Sequence, residues 1–447
     1  MAAPQSPSDT ASLVDLPPEL LLQIISETLP EGFESLALSC KAVYQLCTPF
    51  IKQHNLRRAQ FRKFQYSPFP DSGQDPLRTP IYHAYDLIER IAREPIVARY
   101  IQHADLGRDS RNLIHPPGRI QSGIDRNGPV AALFANSPCL KQAGLDWREY
   151  HKHIADDYNK VHLLGRYSQH AAAFVLTLLP NAQYLKLPQL WVPTDLSHKL
   201  VNTVVERARQ SLGFDSRTYL SSAIPPEVLR LSPFLALPEL RSYNGPNPQA
   251  VSKTPGGVSH KQLPLGEKLE SARIWSKPHE EVDLAAFLCS TGRLKTLTYH
   301  TGGVYYAHWD ICRFLRLIEG EAETRLEGLA ICLATAGHAI VPGHMSMRGF
   351  QCLRELQLPV ELFACMISYI ATRINKTLED LSYGDMESLE VKLSDLVPAS
   401  VTHLVLYSNG TAPHHGDALK ILFHDFQAMK ATRLPALEEI VFDRISR

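Results

Sequence analysis

One six-residue pattern, apolar-x-x-apolar-x-apolar, returns along this chain from about residue 81 to its end. It occurs at Ile101-Ala104-Leu106, Leu140-Ala143-Leu145, Ala182-Leu185-Leu187, Leu269-Ala272-Ile274 and Leu294-Leu297-Tyr299. It recurs at Leu326-Leu329-Ile331, Leu353-Leu356-Leu358, Leu378-Leu381-Tyr383, Val401-Leu404-Leu406 and Leu437-Ile440-Phe442. Alternation in the last three positions is the mark of a short strand with one buried face. Helical stretches separate several of these units, at 84–93, 170–179, 197–211, 282–289, 309–319, 360–373 and 416–430. A Leu-Pro step comes before the next strand at Leu179-Pro180 and Leu434-Pro435. Strands and helices in alternation predict an α/β fold in which parallel strands lie side by side and the crossing helices cover one face.

Strand, loop and helix in repetition resemble the grammar of leucine-rich-repeat proteins. Asn409, at the end of the Val401–Leu406 unit, stands where that repeat carries its asparagine. The spacing is ragged. From Leu269 the units advance by 25, 32, 27, 25, 23 and 36 residues, and no clear strand is visible between 190 and 235. A non-repeating α/β domain whose strands share a common look is the alternative. The reading adopted for residues 81–447 is an irregular leucine-rich-repeat-like α/β solenoid. Its partner-binding surface is expected on the concave strand face, at positions between the apolar ones such as Glu355, Gln357, His403 and Val405. Two Gly/Pro-rich stretches, 244–268 and 334–349, interrupt the pattern and read as loops, the kind of segment that carries specificity on a rigid scaffold. Trp275, Tyr305, Tyr306 and Trp309 are candidate anchors, though core packing is the commoner fate of such residues.

The first eighty residues have a different character. Residues 1–11 are small and polar and are expected to be disordered. Helical signals follow. Asp15 can cap a helix, proline suits its first turn, and Glu19 complements the positive end of the helix dipole. Leu16, Leu20 and Ile24 form one apolar stripe and Leu21, Ile25 and Leu29 another, so the helix must be covered on two sides. Pro30-Glu31-Gly32 breaks it. In a second helical stretch, 33–47, Leu36, Cys40, Val43 and Cys47 recur at helix period, and Pro49 ends it or starts another. Residues 52–80 read as a linker, helical to 64 and proline-rich after 67.

The run Leu16-Pro17-Pro18-Glu19-Leu20, then Ile24, Leu36-Ala37-Leu38-Ser39-Cys40-Lys41, Val43-Tyr44 and Leu46 resembles the F-box motif. That motif opens with Leu-Pro-x-Glu, and its second helix carries a Cys-Lys step with an aromatic residue three positions beyond the Lys. Tyr44, where many F-boxes carry Trp, is similar to the version common in fungal proteins. The resemblance covers residues 12–51. It implies a short all-helical module that binds a Skp-family adaptor, and through it a cullin–RING ubiquitin ligase. Carried over residue by residue, it nominates Leu16, Pro17, Leu20, Ile24, Leu36, Leu38, Cys40 and Val43 as adaptor-binding. The chain would then be the substrate-recognition subunit of an SCF-type E3 ligase. An adaptor-bound scaffold without ubiquitylation, or an unrecognised α/β enzyme, are the other readings.

Other function classes find little support. Lys+Arg and Asp+Glu both number 46, so no basic excess points to nucleic acid. The longest apolar stretch without charge, His170 to Leu185, is too short to span a membrane and contains Pro180. Asp9, Asp15 and Glu19 fall where a signal peptide needs basic and apolar residues, so a cytoplasmic or nuclear location is expected. There the eight scattered cysteines would be free thiols, mostly small buried hydrophobes, and the sequons at Asn375 and Asn409 silent. No phosphate cradle, nucleophile elbow or His-Glu-x-x-His occurs. His151/His153 with Asp156 and Asp157, and His414-His415, are read as polar surface rather than metal ligands. No cofactor is expected.

Overall fold

The computed structural model describes residues 13–67, 80–109, 128–164, 170–188, 194–211, 237, 239–246, 266–276, 281–301, 309–333, 343, 346–376, 385, 392–408, 415–424 and 426–444. A short 3-10 turn, Leu13–Asp15, precedes three helices, α1 (Pro18–Glu27), α2 (Phe33–Ala37) and α3 (Lys41–Phe61). β1 (Lys63–Gln65) starts two residues after α3 ends, and α4 (Ala84–Arg93) and α5 (Ile96–Tyr100) lead to β2 (His103–Asp105). Next come α6 (Pro129–Ala135), α7 (Pro138–Gln142), α8 (Trp147–Leu164), α9 (His170–Leu176) and β3 (Tyr184–Lys186). The centre of the chain holds α10 (Asp195–Ser211), β4 (Ser242–Pro246), β5 (Ser271–Ser276), α11 (Glu281–Ser290) and β6 (Thr296–Thr301). It continues with α12 (Ile311–Ala322), β7 (Gly328–Leu333), β8 (Glu355–Pro359), α13 (Val360–Arg373) and α14 (Leu393–Leu396). The last elements are β9 (His403–Ser408), α15 (His415–Leu422), α16 (Phe426–Arg433) and β10 (Glu439–Arg444).

All ten strands form one parallel sheet whose spatial order is the chain order, β1 to β10. One register row, Phe64, Ala104, Leu185, Tyr243, Ala272, Leu297, Leu329, Leu356, Leu404 and Ile440, crosses the whole sheet. Every residue of this row except the half-buried Ile440 is buried. These are the middle apolar positions of the six-residue pattern, and the first positions, such as Leu269, Leu294, Leu326 and Leu353, are fully buried beside them. One continuous core therefore runs from Phe61 to Leu437. Helices are set by local chemistry. Asp310 caps α12 by accepting a hydrogen bond from the Arg313 N–H at 2.8 Å. His83 caps α4, accepting from the Asp86 N–H at 3.4 Å, while Asp86 reaches back to the Tyr82 N–H at 2.9 Å.

This architecture corrects the expected one. A short all-helical F-box followed by a leucine-rich-repeat-like solenoid is not what folds. The chain forms a single ten-stranded parallel α/β sheet, and the N-terminal helices run directly into it. α3 passes through the expected end of its module, Pro49 included, and ends two residues before the first strand. A proline inside a helix removes a hydrogen bond and costs about 3 kcal/mol. Burial of Val43 and Cys47 before it and of His54 and Phe61 after it holds the helix in one piece. Strand starts advance by as little as 25 residues (Ser271 to Thr296) and as much as 81 (His103 to Tyr184), with four described helices in the longest connection, so no unit of fixed length repeats among the described residues.

Individual strands differ from expectation too. Leu140-Ala143-Leu145 is not a strand but the end of α7. Ser137 caps that helix, Pro138 opens it, and Gly144 at φ +66° closes it, with the Leu145 N–H bonded to the Leu140 carbonyl at 3.0 Å. Two further strands lie outside the expected set. β1 has the pattern, as Phe61-Phe64-Tyr66, in residues expected to be a linker. β4 breaks it with glycine, and its residues 244–246 fall in a stretch expected to be loop. The Tyr243 ring folds over Gly245, where a Cβ would sit 2.7 Å from its hydroxyl, and that hydroxyl donates to the Pro246 carbonyl at 2.7 Å. The Leu378–Tyr383 unit, Asn409, Tyr305, Tyr306 and His414 lie outside the described residues, as does most of 244–268 and 334–349.

Candidate functional site

The two stripes of α1 part company in the fold. Leu21, Ile25 and Leu29 point inward, where Ile25 and Leu29 join Phe33, Ala37, Val43 and Cys47 in a small core of their own. Leu16, Pro17 and Leu20 are exposed and Ile24 is half-buried. Leu38, at the end of α2, is 80% exposed, and Cys40, at the start of α3, is also exposed, whereas Leu36 packs partly on the small core. Val43 is buried at 2% and offers no surface to a partner. Of the nominated eight, then, Leu16, Pro17, Leu20, Leu38 and Cys40 are open to solvent.

Among the described residues, ten large apolar side chains are exposed, and seven of them lie between Leu13 and Leu56. They include Tyr44 at 48%, which the resemblance placed but the nominated set omitted. Such side chains scattered singly need no explanation; seven of them within the N-terminal helical segment give it apolar area that gains by being covered. Covering a half-exposed leucine is worth on the order of 1 kcal/mol.

The helices carrying this surface are fixed to the sheet. His54, buried on α3, bonds the Tyr100 hydroxyl at 2.8 Å through Nδ1. Arg99 donates to Glu31 at 2.6 Å, and Asn181, on the approach to β3, donates to Glu31 and to the Arg99 carbonyl. Arg57 pairs with Glu94 and Arg58 with Glu34. Burial pushes the Glu31 carboxyl up, but the Arg99 and Asn181 hydrogen bonds outweigh it and leave Glu31 below the usual carboxylate range. A cleft of about 150 Å³ lined by Glu31, Glu34, His54, Arg58, Arg62 and Arg99 remains at this joint. Ile96 on α5 packs against both the small core and the large one.

The second candidate surface is the face of the sheet opposite the core row. Glu355 and His403 are exposed there, side by side in register, and Gln357 and Val405 lie half-buried two residues on. His403 approaches Glu439 at 4.0 Å. Of the proposed aromatic anchors, Trp275 sits on this face half-exposed, its ring stacked on His300 at 3.9 Å. Trp309 instead fills the core beside Tyr299 and Phe314. Among the described residues strand order never reverses, so these strands form no switch-point crevice of the kind in which doubly wound sheets bind ligands.

The histidine pair on α8 divides between two environments. His151 is buried against Phe134 with its Nε2 3.1 Å from the Tyr85 hydroxyl, and burial pushes it down to about 4. His153 packs on His170, which itself bridges Asp157 at 2.7 Å and Thr194 at 2.8 Å. Among the described residues no three His, Cys, Asp or Glu side chains are placed to hold a metal, and no helix is long and apolar enough to cross a membrane. Seven described cysteines stand outside any disulfide; Cys40, Cys289 and Cys352 are exposed rather than buried. No protein-family model matches the chain, and a search of curated proteins finds no match.

Proposed function

We propose that the exposed leucines of the N-terminal helices dock on a Skp-family adaptor and that the open face of the sheet holds a protein partner. The chain then serves as the substrate-recognition subunit of an SCF-type cullin–RING ubiquitin ligase, in the cytoplasm or nucleus. The observation that carries this reading is the exposure of Leu16, Leu20 and Leu38, large apolar side chains among the residues that the F-box resemblance nominates as adaptor contacts. On this reading no residue of the chain makes or breaks a bond. Its contribution is proximity: the partner is held near a ubiquitin donor carried by other subunits. The joint through Glu31, His54, Arg57 and Arg99 supports the reading because a receptor of this kind must hold its two surfaces in a fixed relation.

The test is capture of adaptor and cullin by the full chain, with Leu16→Ala/Pro17→Ala as the control. The reading expects wild type to retain both and the variant to lose both while keeping its thermal unfolding midpoint. Capture of neither by folded wild type overturns it.

A further inference from the structure

Across β4–β7 the outward positions of the sheet hold hydroxyl, amide, small and aromatic side chains, none of them a carboxylate, and one charge, Arg273. Elsewhere on this face Asp105 pairs with Lys186 at 2.8 Å, and His403 approaches Glu439. Arg273 is exposed and stands in none of the ion pairs formed among the described residues. Register sets it between Asn244 and Thr298. Two residues further along the same strands lies the Trp275–His300 stack, tilted by only 15° and tethered by the Trp275 indole N–H, which donates to Asn244 Oδ1 at 3.3 Å. Nε2 of His300 is buried and has no hydrogen-bond partner among the described residues. Burial, aided by the Arg273 charge, pushes His300 down to about 4, so its ring is neutral near pH 7. A buried ring nitrogen without a partner costs about 1–3 kcal/mol, which a bound polar group can recover.

We propose that this part of the sheet, centred on Arg273 with the Trp275–His300 stack beside it, binds an anionic side chain of a partner protein segment, a carboxylate or a phosphoryl group. A planar guanidinium presents paired N–H donors that match two oxygens of either group, and charge-assisted bonds of this kind are about twice as strong as neutral ones. The stacked rings offer the flat surface on which the residue flanking the anion rests. The inference stands on the sheet alone and does not need the adaptor reading, so adaptor capture and this binding succeed or fail separately.

The experiment measures fluorescence anisotropy of the full chain with three labelled peptide pools. The pools share randomised flanks and carry Glu, phosphoserine or Gln at the centre. Wild type is expected to bind the Glu or the phosphoserine pool at least about ten-fold more tightly than the Gln pool, a difference of about 1.4 kcal/mol. Whichever anionic pool leads identifies the source of the anion. Arg273→Gln, exposed and therefore foldable, is expected to abolish the preference, and added salt to weaken it. Trp275→Ala is expected to weaken all three pools alike. Equal binding of the three pools, or a preference that survives Arg273→Gln in a chain with unchanged thermal unfolding, overturns the proposal.

Discussion

At the scale of single residues, Tyr407 shows how a side chain completes a sheet. β7 pairs with β8 only over Gly328–Ala330, because β8 diverges from it before Pro359 turns the chain into α13. Ile331 and Leu333 would lose ladder partners there. The Tyr407 hydroxyl, reaching from β9, donates to the Ile331 carbonyl and accepts from the Leu333 N–H, both at 2.7 Å, in a fully buried position. Tyr407→Phe should therefore cost about 1–3 kcal/mol in urea unfolding, the penalty for stranding buried backbone groups. Two histidines held below their ordinary value make stability depend on acid pH. Burial lowers both His83 and His151 to about 4, against about 6.5 in the unfolded chain. A lowered histidine favours the fold fully above the unfolded value and loses that contribution as pH falls from about 6.5 towards about 4. The unfolding midpoint should drop over that window, and His151→Gln should flatten the slope; a midpoint constant from pH 7 to 4.5 would contradict this. Tyr407 itself was invisible in sequence, since its role depends on where β8 leaves the sheet. Gly144 and Gly245 were legible in principle. One is a glycine after a capped short helix. The other is a glycine two residues after a tyrosine that needs room.

At the scale of elements, the six-residue pattern marked eight of the ten strands because it reports one physical fact, a strand whose middle row is buried. It fails where another structure buries the same spacing. In α7 the residues Leu140, Ala143 and Leu145 satisfy it through a capped helical turn. Boundaries were least legible. Pro49 reads as a helix end, yet the tertiary burial of residues on both sides of it decides the outcome. The two stripes of α1 give a direct contrast. Ile25, at 1% exposure, should lose about 2–5 kcal/mol of stability on truncation to alanine, whereas Leu20, at 47%, should stay within about 0.5 kcal/mol. Equal losses by chemical denaturation would mean that the exposed stripe is structural.

At the scale of the whole molecule, the alternation of strands and helices was readable, and the expected F-box-plus-solenoid architecture was not what formed. Residues that look like a linker are the end of α3 and the first strand of the sheet, and the core begins at Phe61 without a break. The sequence could not show this because the joint is made by long-range pairs, such as Arg99 with Glu31 and His54 with Tyr100. The joint makes one molecule of two surfaces, an apolar one on the N-terminal helices and a polar one on the open sheet. Arg99→Ala should weaken the joint without touching either surface. Limited proteolysis should then cut faster near Glu31, with adaptor affinity unchanged.

The account turns on whether the exposed leucines are a docking surface, and a titration of purified Skp-family adaptor into the purified full chain asks this directly. It predicts saturable binding at equal stoichiometry, weakened at least about ten-fold, or about 1.4 kcal/mol, by Leu16→Ala/Leu20→Ala with the unfolding midpoint unchanged. No heat of binding from folded wild type, or an affinity that the double substitution leaves intact, would contradict it.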